Sequence, residues 1–513
     1  MDERRRINLR KRRKQLLMIG TVTGITVMLV IVGVFFGVIA GMGQWPDGQS
    51  IALAFGLDEK GPEQPGKADA DAEHGNKDGS GVDLVQVENG QTNTEPSTEP
   101  LQPSSSAQQF ADASDNTGSE SGADGTQTAV SMETQTTASM KTQTEPQTAA
   151  SVAVQLTETP TASVHLVAFG DNLMHRSVSL SGLQADGSYN YDYNFCHVAG
   201  LIQSADLAVI NQETVIGGNE LGIQGYPCFN GRTEMADELA KVGFDVVLGA
   251  NNHILDQGAG AVIHMVQYFK THYPQITLLG IHDSWESRDE VAVVECQGIR
   301  IAMINYTDLL NIPSALTGQE YLTDYLDYDR LAALIQKAKA SSDFVIVFPH
   351  WGTEYELGTD AKQQQETAFL AQQGVDLVIG THPHVVEPVE MVARPDGGKM
   401  LVYYSLGNFQ SIQNKESTII GGMADVTIEK SRYGTKISDF NMQFLATDYR
   451  MTGDLRDYYN EVTTYRFEDY SRDLAAGSWV FYDNPNFNLD YMYQLQAQMA
   501  AQVQQQRQAA GLE

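Results

Sequence analysis

The chain has 513 residues, 42% of them apolar, and a formal net charge of −32 at pH 7. That charge excludes nucleic acid as a partner, because phosphate backbones reward clustered Lys and Arg. An anionic substrate would need a local cation, such as a metal ion, to receive it.

The elements follow in chain order. Residues 1–15 carry a basic cluster (Arg4, Arg5, Arg6, Arg10, Lys11, Arg12, Arg13, Lys14), and residues 16–43 are apolar and uncharged. Roughly 20 helical residues cross a hydrocarbon core, whereas a cleavable leader has an apolar region of only about 7–15. The stretch 16–43 is therefore expected to be an uncleaved transmembrane helix, a signal-anchor. The basic flank places the N-terminus in the cytoplasm and the rest of the chain outside the cell membrane. Gly33, Gly37 and Gly41 would let a second helix approach closely, a route to self-association. Residues 44–162 are rich in Ser, Thr, Gln and acidic side chains with no apolar period. They cannot bury enough surface to offset their ordering entropy, so a disordered stalk is expected.

From 163 to 414 short apolar runs alternate with helical patterns. Strands are expected at Val164–Gly170, Asp206–Glu213, Phe244–Ala250, Ile276–Ile281, Ile299–Thr307, Phe344–His350, Val375–Thr381 and Leu401–Leu406. Helices are expected at Thr233–Val242, Gly258–His272, Asp329–Ala340 and Ala361–Gln373. Such alternation reads as an α/β domain with buried strands. Residues 415–513 read as a C-terminal extension, whose Gln- and Ala-rich helix at Leu489–Arg507 looks peripheral. Cys196, Cys228 and Cys296 match no zinc spacing and are odd in number. They read as small buried apolar residues, with a Cys196–Cys228 bridge left open.

The polar signals collect at the C-terminal ends of the strands, where α/β folds place ligand sites. They are Gly170-Asp171, Asn211-Gln212-Glu213, Asn251-Asn252-His253 with Asp256, His350-Trp351-Gly352, and Thr381-His382-Pro383-His384. A turn fixed by Pro383 can swing both of its flanking imidazoles towards one cavity. With His350, Asp171, Glu213 and Asn252 they make a mixed nitrogen and oxygen ligand set, which suits Mn, Fe or Zn better than Ca or Mg alone.

These motifs, with Gly-Thr-His-Pro-His-Val at 380–385 and Tyr-Ser-Leu-Gly-Asn-Phe at 404–409, stand in one order along the chain. In that order the segment resembles the poly-γ-glutamate capsule synthesis protein CapA family, within the calcineurin-like metallophosphoesterase superfamily. The resemblance implies a sandwich of two central β-sheets flanked by helices, and two divalent metal ions. It implies that Asp171 and His384 bind the first ion, that Glu213 bridges, and that Asn252, His350 and His382 bind the second. His253 would protonate the leaving group. Two departures stand out. The superfamily opens with Asp-x-His, but Leu173 occupies the histidine position, with His175 two residues on. The bridging position sits in Asn-x-Glu, not Gly-Asp-x-x-Asp. The first metal site is thus expected to be depleted or rebuilt.

Other residues keep two readings. Asp256 could orient His253 or cap the following helix. Glu354 could contact substrate or pair with a buried base. Arg176, the basic residue near the first motif, could clamp a phosphate or carboxylate or make a surface ion pair. Asn408, in the strand-exit turn, is expected on the pocket floor in contact with substrate. The resemblance implies a membrane-anchored hydrolase in capsule or envelope polymer biogenesis. The competing expectation is a non-catalytic accessory subunit of a polymer synthase or export complex.

Overall fold

The structure, a computed structural model, describes residues 160–451 and 461–512. The basic segment, the expected spanning helix and nearly all of the expected stalk lie outside the described residues. Among the described residues no helix is long and apolar enough to cross a membrane.

The first four strands are β1 (Ala162–Asn172), β2 (Leu207–Asn211), β3 (Val246–Leu248) and β4 (Thr277–Leu279). Six more follow: β5 (Ala292–Cys296), β6 (Ile299–Thr307), β7 (Phe344–His350), β8 (Leu377–Ile379), β9 (Val389–Ala393) and β10 (Lys399–Tyr403). The last are β11 (Asn408–Gln410), β12 (Ile420–Ser431), β13 (Gly434–Arg450) and β14 (Glu461–Arg466). Five longer helices accompany them: α1 (Thr233–Val242), α2 (Gly258–His272), α3 (Tyr328–Ser341), α4 (Ala361–Gln373) and α5 (Leu489–Ala509).

Two sheets result. One runs β14-β13-β12-β1-β2-β3-β4, with β11 beside the end of β1; the other runs β5-β6-β7-β8-β10-β9. Strands β1 to β4 are mutually parallel, as are β6, β7, β8 and β10. Parallel neighbours need crossover connections; helices supply them except between β8 and β10, where the chain passes through β9.

Side-chain alternation explains why the second sheet is covered on both faces. Ile299, Ile301, Met303, Phe344, Ile346, Phe348, Leu377 and Ile379 join the core shared with the first sheet. The intervening Ala302, Ile304, Val345, Val347 and Val378 pack with Leu331, Leu334 and Ile335 of α3 and Leu370 of α4. Period-2 alternation with apolar residues on both sides produces the near-continuous apolar runs of the sequence. On the first sheet Met235 and Leu239 of α1, and Val262, Met265 and Phe269 of α2, do the same. Helix α4 begins with a capping box between Asp360 and Gln363 and stops at Gly374 in the left-handed region, φ 84°.

Residue 414 falls between β11 and β12, which belong to the same sheet. Strand β12 pairs antiparallel with β1 from Ala162 to Phe169, so the extension supplies one side of the ladder on the first described strand. Its β13 and β14 continue the sheet outward. Helix α5 packs on the outside of the second sheet's edge. It buries Met492, Leu495 and Val503, and it covers the edge strand β9. The Gln502 carboxamide accepts from the Val389 N–H at 3.1 Å and donates to the Val389 carbonyl at 2.6 Å. Pairing an edge backbone in this way removes a template for aggregation. The three cysteines are free thiols, and Cys196 is exposed.

The prediction for the fold is direct. A chain ending at Asn414 loses the inner ladder partner of β1 and should show no cooperative melt by near-ultraviolet circular dichroism. A sharp native-like transition in that truncated chain would show that residues 163–414 fold alone.

Candidate metal centre

Each ligand candidate is positioned by a strand end and a short turn. Strand β1 delivers Asp171 through Gly170, which passes so close to the next segment that a Cβ would collide with the Gly407 carbonyl. The Asp171 N–H donates to that same carbonyl at 2.9 Å. Strand β2 delivers Glu213. The loop after β3 delivers Asn252 and His253, and Asn305 of β6 locks it. The Asn305 Oδ1 accepts from the Gly249 and Ala250 N–H groups at 3.2 and 2.8 Å, while its Nδ2 donates to the Phe348 carbonyl at 2.8 Å. One carboxamide thus ties the loop of one sheet to the backbone of the other.

His350 ends β7, and the His382-Pro383-His384 turn follows β8. Both turn histidines have positive φ, 102° at His382 and 60° at His384. A non-glycine residue there costs about 1–3 kcal/mol, and such strain concentrates at functional sites. The strain is what lets two imidazoles separated by one residue face the same interior. Their ring centroids are 6.0 Å apart, and His382 lies 4.8 Å from His350.

The donors fall into two groups that share one residue. Glu213, His350 and His382 form one; Asp171, Glu213 and His384 form the other. Within each group the donor atoms lie within 4.8 Å of one another, and all five residues are buried. Oε1 of Glu213 is 3.7 Å from His350 Nε2, and Oε2 is 3.8 Å from His384 Nδ1, so the carboxylate presents one oxygen to each group. His384 Nδ1 is also 3.1 Å from Asp171 Oδ2. Asn252 brings Oδ1 to 3.0 Å from His350 Nε2, beside the first group.

These residues fit divalent metal ions. Neither oxygen of Glu213 has a hydrogen-bond partner, nor does His382 Nδ1, although all three atoms are buried. A buried carboxylate without donors costs several kcal/mol unless a cation meets it. Burial pushes the Glu213 carboxyl well above its usual range; His384 opposes that shift and Asp171 adds to it. Burial, then repulsion between the imidazoles, pushes His350 and His382 well down, leaving neutral rings with lone pairs for an ion. His384 goes the other way. Burial lowers it, but Glu213 and Asp171 outweigh burial and raise it to about 9. A proton on His384 supplies the charge that a cation would.

An outer layer aims the ligands. Thr381 Oγ1 sits 3.0 Å from His350 Nδ1, leaving Nε2 to face Asn252 and Glu213. Asn211 Nδ2 donates to Asp171 Oδ1 at 2.8 Å. Such partners fix ring orientation and ligand basicity.

His253 is held by Asp256, whose Oδ2 is 2.8 Å from its Nδ1 and also accepts the Phe229 N–H at 2.7 Å. The capping reading of Asp256 is therefore corrected. Helix α2 starts after Gln257 and has no side-chain cap, because the carboxylate is already engaged by His253 and Phe229. The Phe229 ring packs edge-on against His253 at 4.7 Å.

The three candidates for substrate contact take these places. Arg176 is exposed, with its guanidinium 3.4 Å from the Ile223 carbonyl, and it makes no described contact with the ligands. Asn408 is buried beside Asp171 in the β1–β11 register and spends its amide donors on Gln413 Oε1 and the Thr418 carbonyl, at 2.9 and 3.0 Å. It braces the wall and offers no N–H to a substrate. Glu354 is exposed at the rim, where its charge bears on Glu213 and His384. Leu173 is buried, and His175 joins neither donor group; its Nδ1 lies 3.3 Å from the Leu173 carbonyl and its ring packs on Phe229.

Residues 165–413 match the family described as bacterial capsule synthesis protein PGA_cap. That segment, just under half of the chain, is similar to that family. The segment is 26% identical over 248 residues to the capsule biosynthesis protein CapA of Bacillus anthracis, covering 47% of this chain and 58% of that one. It is 27% identical over 209 residues to the PGA biosynthesis protein CapA of Bacillus subtilis (strain 168), covering 39% and 51%. The chain thus spans little more than half the length of these relatives. A calcineurin-like phosphoesterase from Bacillus subtilis aligns with 55% of this chain and 90% of its own, at 15% identity and a TM-score of 0.33. That score is too low to carry an argument.

Within this PGA_cap segment, sequence motifs missed Asn311 and Thr381 as supports. The Asn311 N–H donates to the Asn252 carbonyl at 3.1 Å, and its Nδ2 lies 3.1 Å from His253 Nδ1. It comes from the loop after β6, where no local pattern marks it. Thr381 was visible beside His382 but reads as an ordinary strand-end residue.

Beneath the histidine turn, Glu387 is 3% exposed and accepts from Gln363 Nε2 at 2.7 Å. Burial raises its carboxyl from 4.5 to about 8, against the Gln363 hydrogen bond. A folded pKa above the unfolded one stabilises below pH 4.5, and that contribution is lost as pH rises through about 8. Glu387→Gln should therefore gain thermal stability relative to the parent chain between pH 5 and pH 8. Parallel melting curves across that range would contradict the assignment.

Proposed function

We propose that this chain is a phosphoesterase dependent on two divalent metal ions of the Mn, Fe or Zn class. The observation that carries the reading is the unpartnered Glu213 carboxylate, one oxygen turned to each of two buried donor groups. Asp171, Glu213 and His384 would hold one ion; Glu213, Asn252, His350 and His382 would hold the other. Paired ions of this kind polarise a phosphoryl oxygen and lower the pKa of a nearby water.

The chain's own residues supply the rest. Asp256 keeps the His253 ring in one orientation with Nδ1 engaged, and Nε2, which lies 3.4 Å from Asn311 Nδ2, would deliver a proton to the leaving oxygen. Asn311 holds the backbone of Asn252, so that ligand and proton donor keep a fixed relation. Deep burial removes bulk water and strengthens each of these charges.

The names of the relatives support a role in capsule or related envelope polymer biogenesis. The apolar stretch 16–43 supports anchoring in the cell membrane with the domain outside, where polymer synthase or export subunits are the fitting partners. One observation favours a second reading, a non-catalytic accessory subunit: buried Leu173 stands where the superfamily places a ligand histidine.

Full chain loaded with Mn2+ should hydrolyse bis(p-nitrophenyl) phosphate, and His253→Ala should lower kcat by about 10²–10⁴-fold without changing bound metal. An inert wild-type protein with both ions bound would favour the accessory reading.

A further inference from the structure

Beside the metal centre a loop residue is held in an unusual way that the proposed chemistry does not use. Tyr355 has positive φ, 69°, and its N–H donates to the Pro383 carbonyl at 2.8 Å, pinning it to the histidine turn. Its ring lies 5.9 Å from the His384 ring. Its hydroxyl accepts from Gln413 Nε2 at 3.3 Å, and Gln413 in turn accepts from Asn408, the register neighbour of Asp171. The phenol is therefore a fixed wall on the donor group of Asp171, Glu213 and His384, and it is still 39% exposed.

Over that wall stands a cation. Lys415 Nζ is 4.3 Å from the Tyr355 ring centroid, an attraction that holds an ammonium without neutralising it. Among the described ion pairs, Lys241, Lys270, Lys362 and Lys430 each meet a carboxylate. Lys415 meets a π-face instead and stays exposed. It is one aromatic ring away from His384. On the same rim Glu354 carries the opposite charge and bears on Glu213 and His384. An anion arriving at the centre therefore passes one repelling and one attracting group.

Resting on the phosphoesterase reading, we propose that Lys415, positioned on Tyr355, is a specificity-determining residue that recognises a second anionic group of the substrate, a carboxylate or a further phosphate. The substrate class is then a phosphoester whose alcohol part carries an acid about one ring's length from the phosphorus. A lysine suits this role as a mobile point charge that accepts either oxyanion.

The test measures dissociation constants of three probes on the Mn2+-loaded full chain by calorimetry: phenyl phosphate, 4-carboxyphenyl phosphate and 1,4-phenylene bisphosphate. The doubly anionic probes should bind about fivefold tighter than phenyl phosphate, the range of a partly exposed ion pair. In Lys415→Gln the ratio should fall to about one; Lys415→Arg should keep it, and Lys399→Gln should leave it unchanged. The larger Lys415-dependent gain names the group. An undiminished preference in Lys415→Gln, or none in the wild type while phenyl phosphate binds, overturns the proposal. No binding by any probe overturns the phosphoesterase reading beneath it, and the proposal with it.

Discussion

A carboxylate buried with no donor is the constraint on which the rest of the structure turns. Glu213 has two oxygens without partners, and the groups that approach them are imidazoles of neighbouring strands. Glu213 and Asp171 raise His384 against the effect of burial, so a proton on that ring can meet part of the charge. That balance is incomplete, because His350 and His382 are driven to their neutral forms. Two groups of donors around one acid thus describe a site built for positive charge. The acidic balance of the whole chain makes the same demand on a larger scale, since an anionic substrate must find its cations locally.

The fold keeps that arrangement by making each ligand the end of a strand that is fixed elsewhere. At its end strand β1 lies between β11 and β2, so Asp171 is held from both sides. Gly170 lets the Gly407 carbonyl approach, and the Asp171 N–H takes it. Asn305 joins the loop of Asn252 to the second sheet. The positive φ values of His382 and His384 are the local cost of aiming both rings inward, and Glu387 with Gln363 lies under that turn. The centre sits where the two sheets' parallel strands end, and it depends on both.

The sequence made the parallel half of this fold legible, and the reason is physical. Strands β6, β7 and β8 are buried on both faces, so their apolar runs stand out, and α3 between β6 and β7 carries an amphipathic pattern. The ligand residues were legible because each follows such a run. The antiparallel strands β12 to β14 were not. Their outward faces carry polar residues such as Thr427, Glu429, Lys436 and Asn441, which dilutes the apolar signal. Asn311 escaped because its role depends on a loop brought to His253 from another sheet. Asp256 kept two readings, since helix start and histidine partner leave the same residue type at the same spacing. Asn408 was legible as part of a conspicuous strand-exit turn, but such a turn does not reveal which way its amide points.

The account's central claim is that Glu213 serves two ions at once. Metal content by mass spectrometry on wild-type protein and Glu213→Gln tests it most directly, because the substitution preserves shape and removes the shared charge. The account predicts about two equivalents in the wild type and a loss at both sites together in the variant. A variant that retains one full equivalent, or a wild type that binds none, would contradict it.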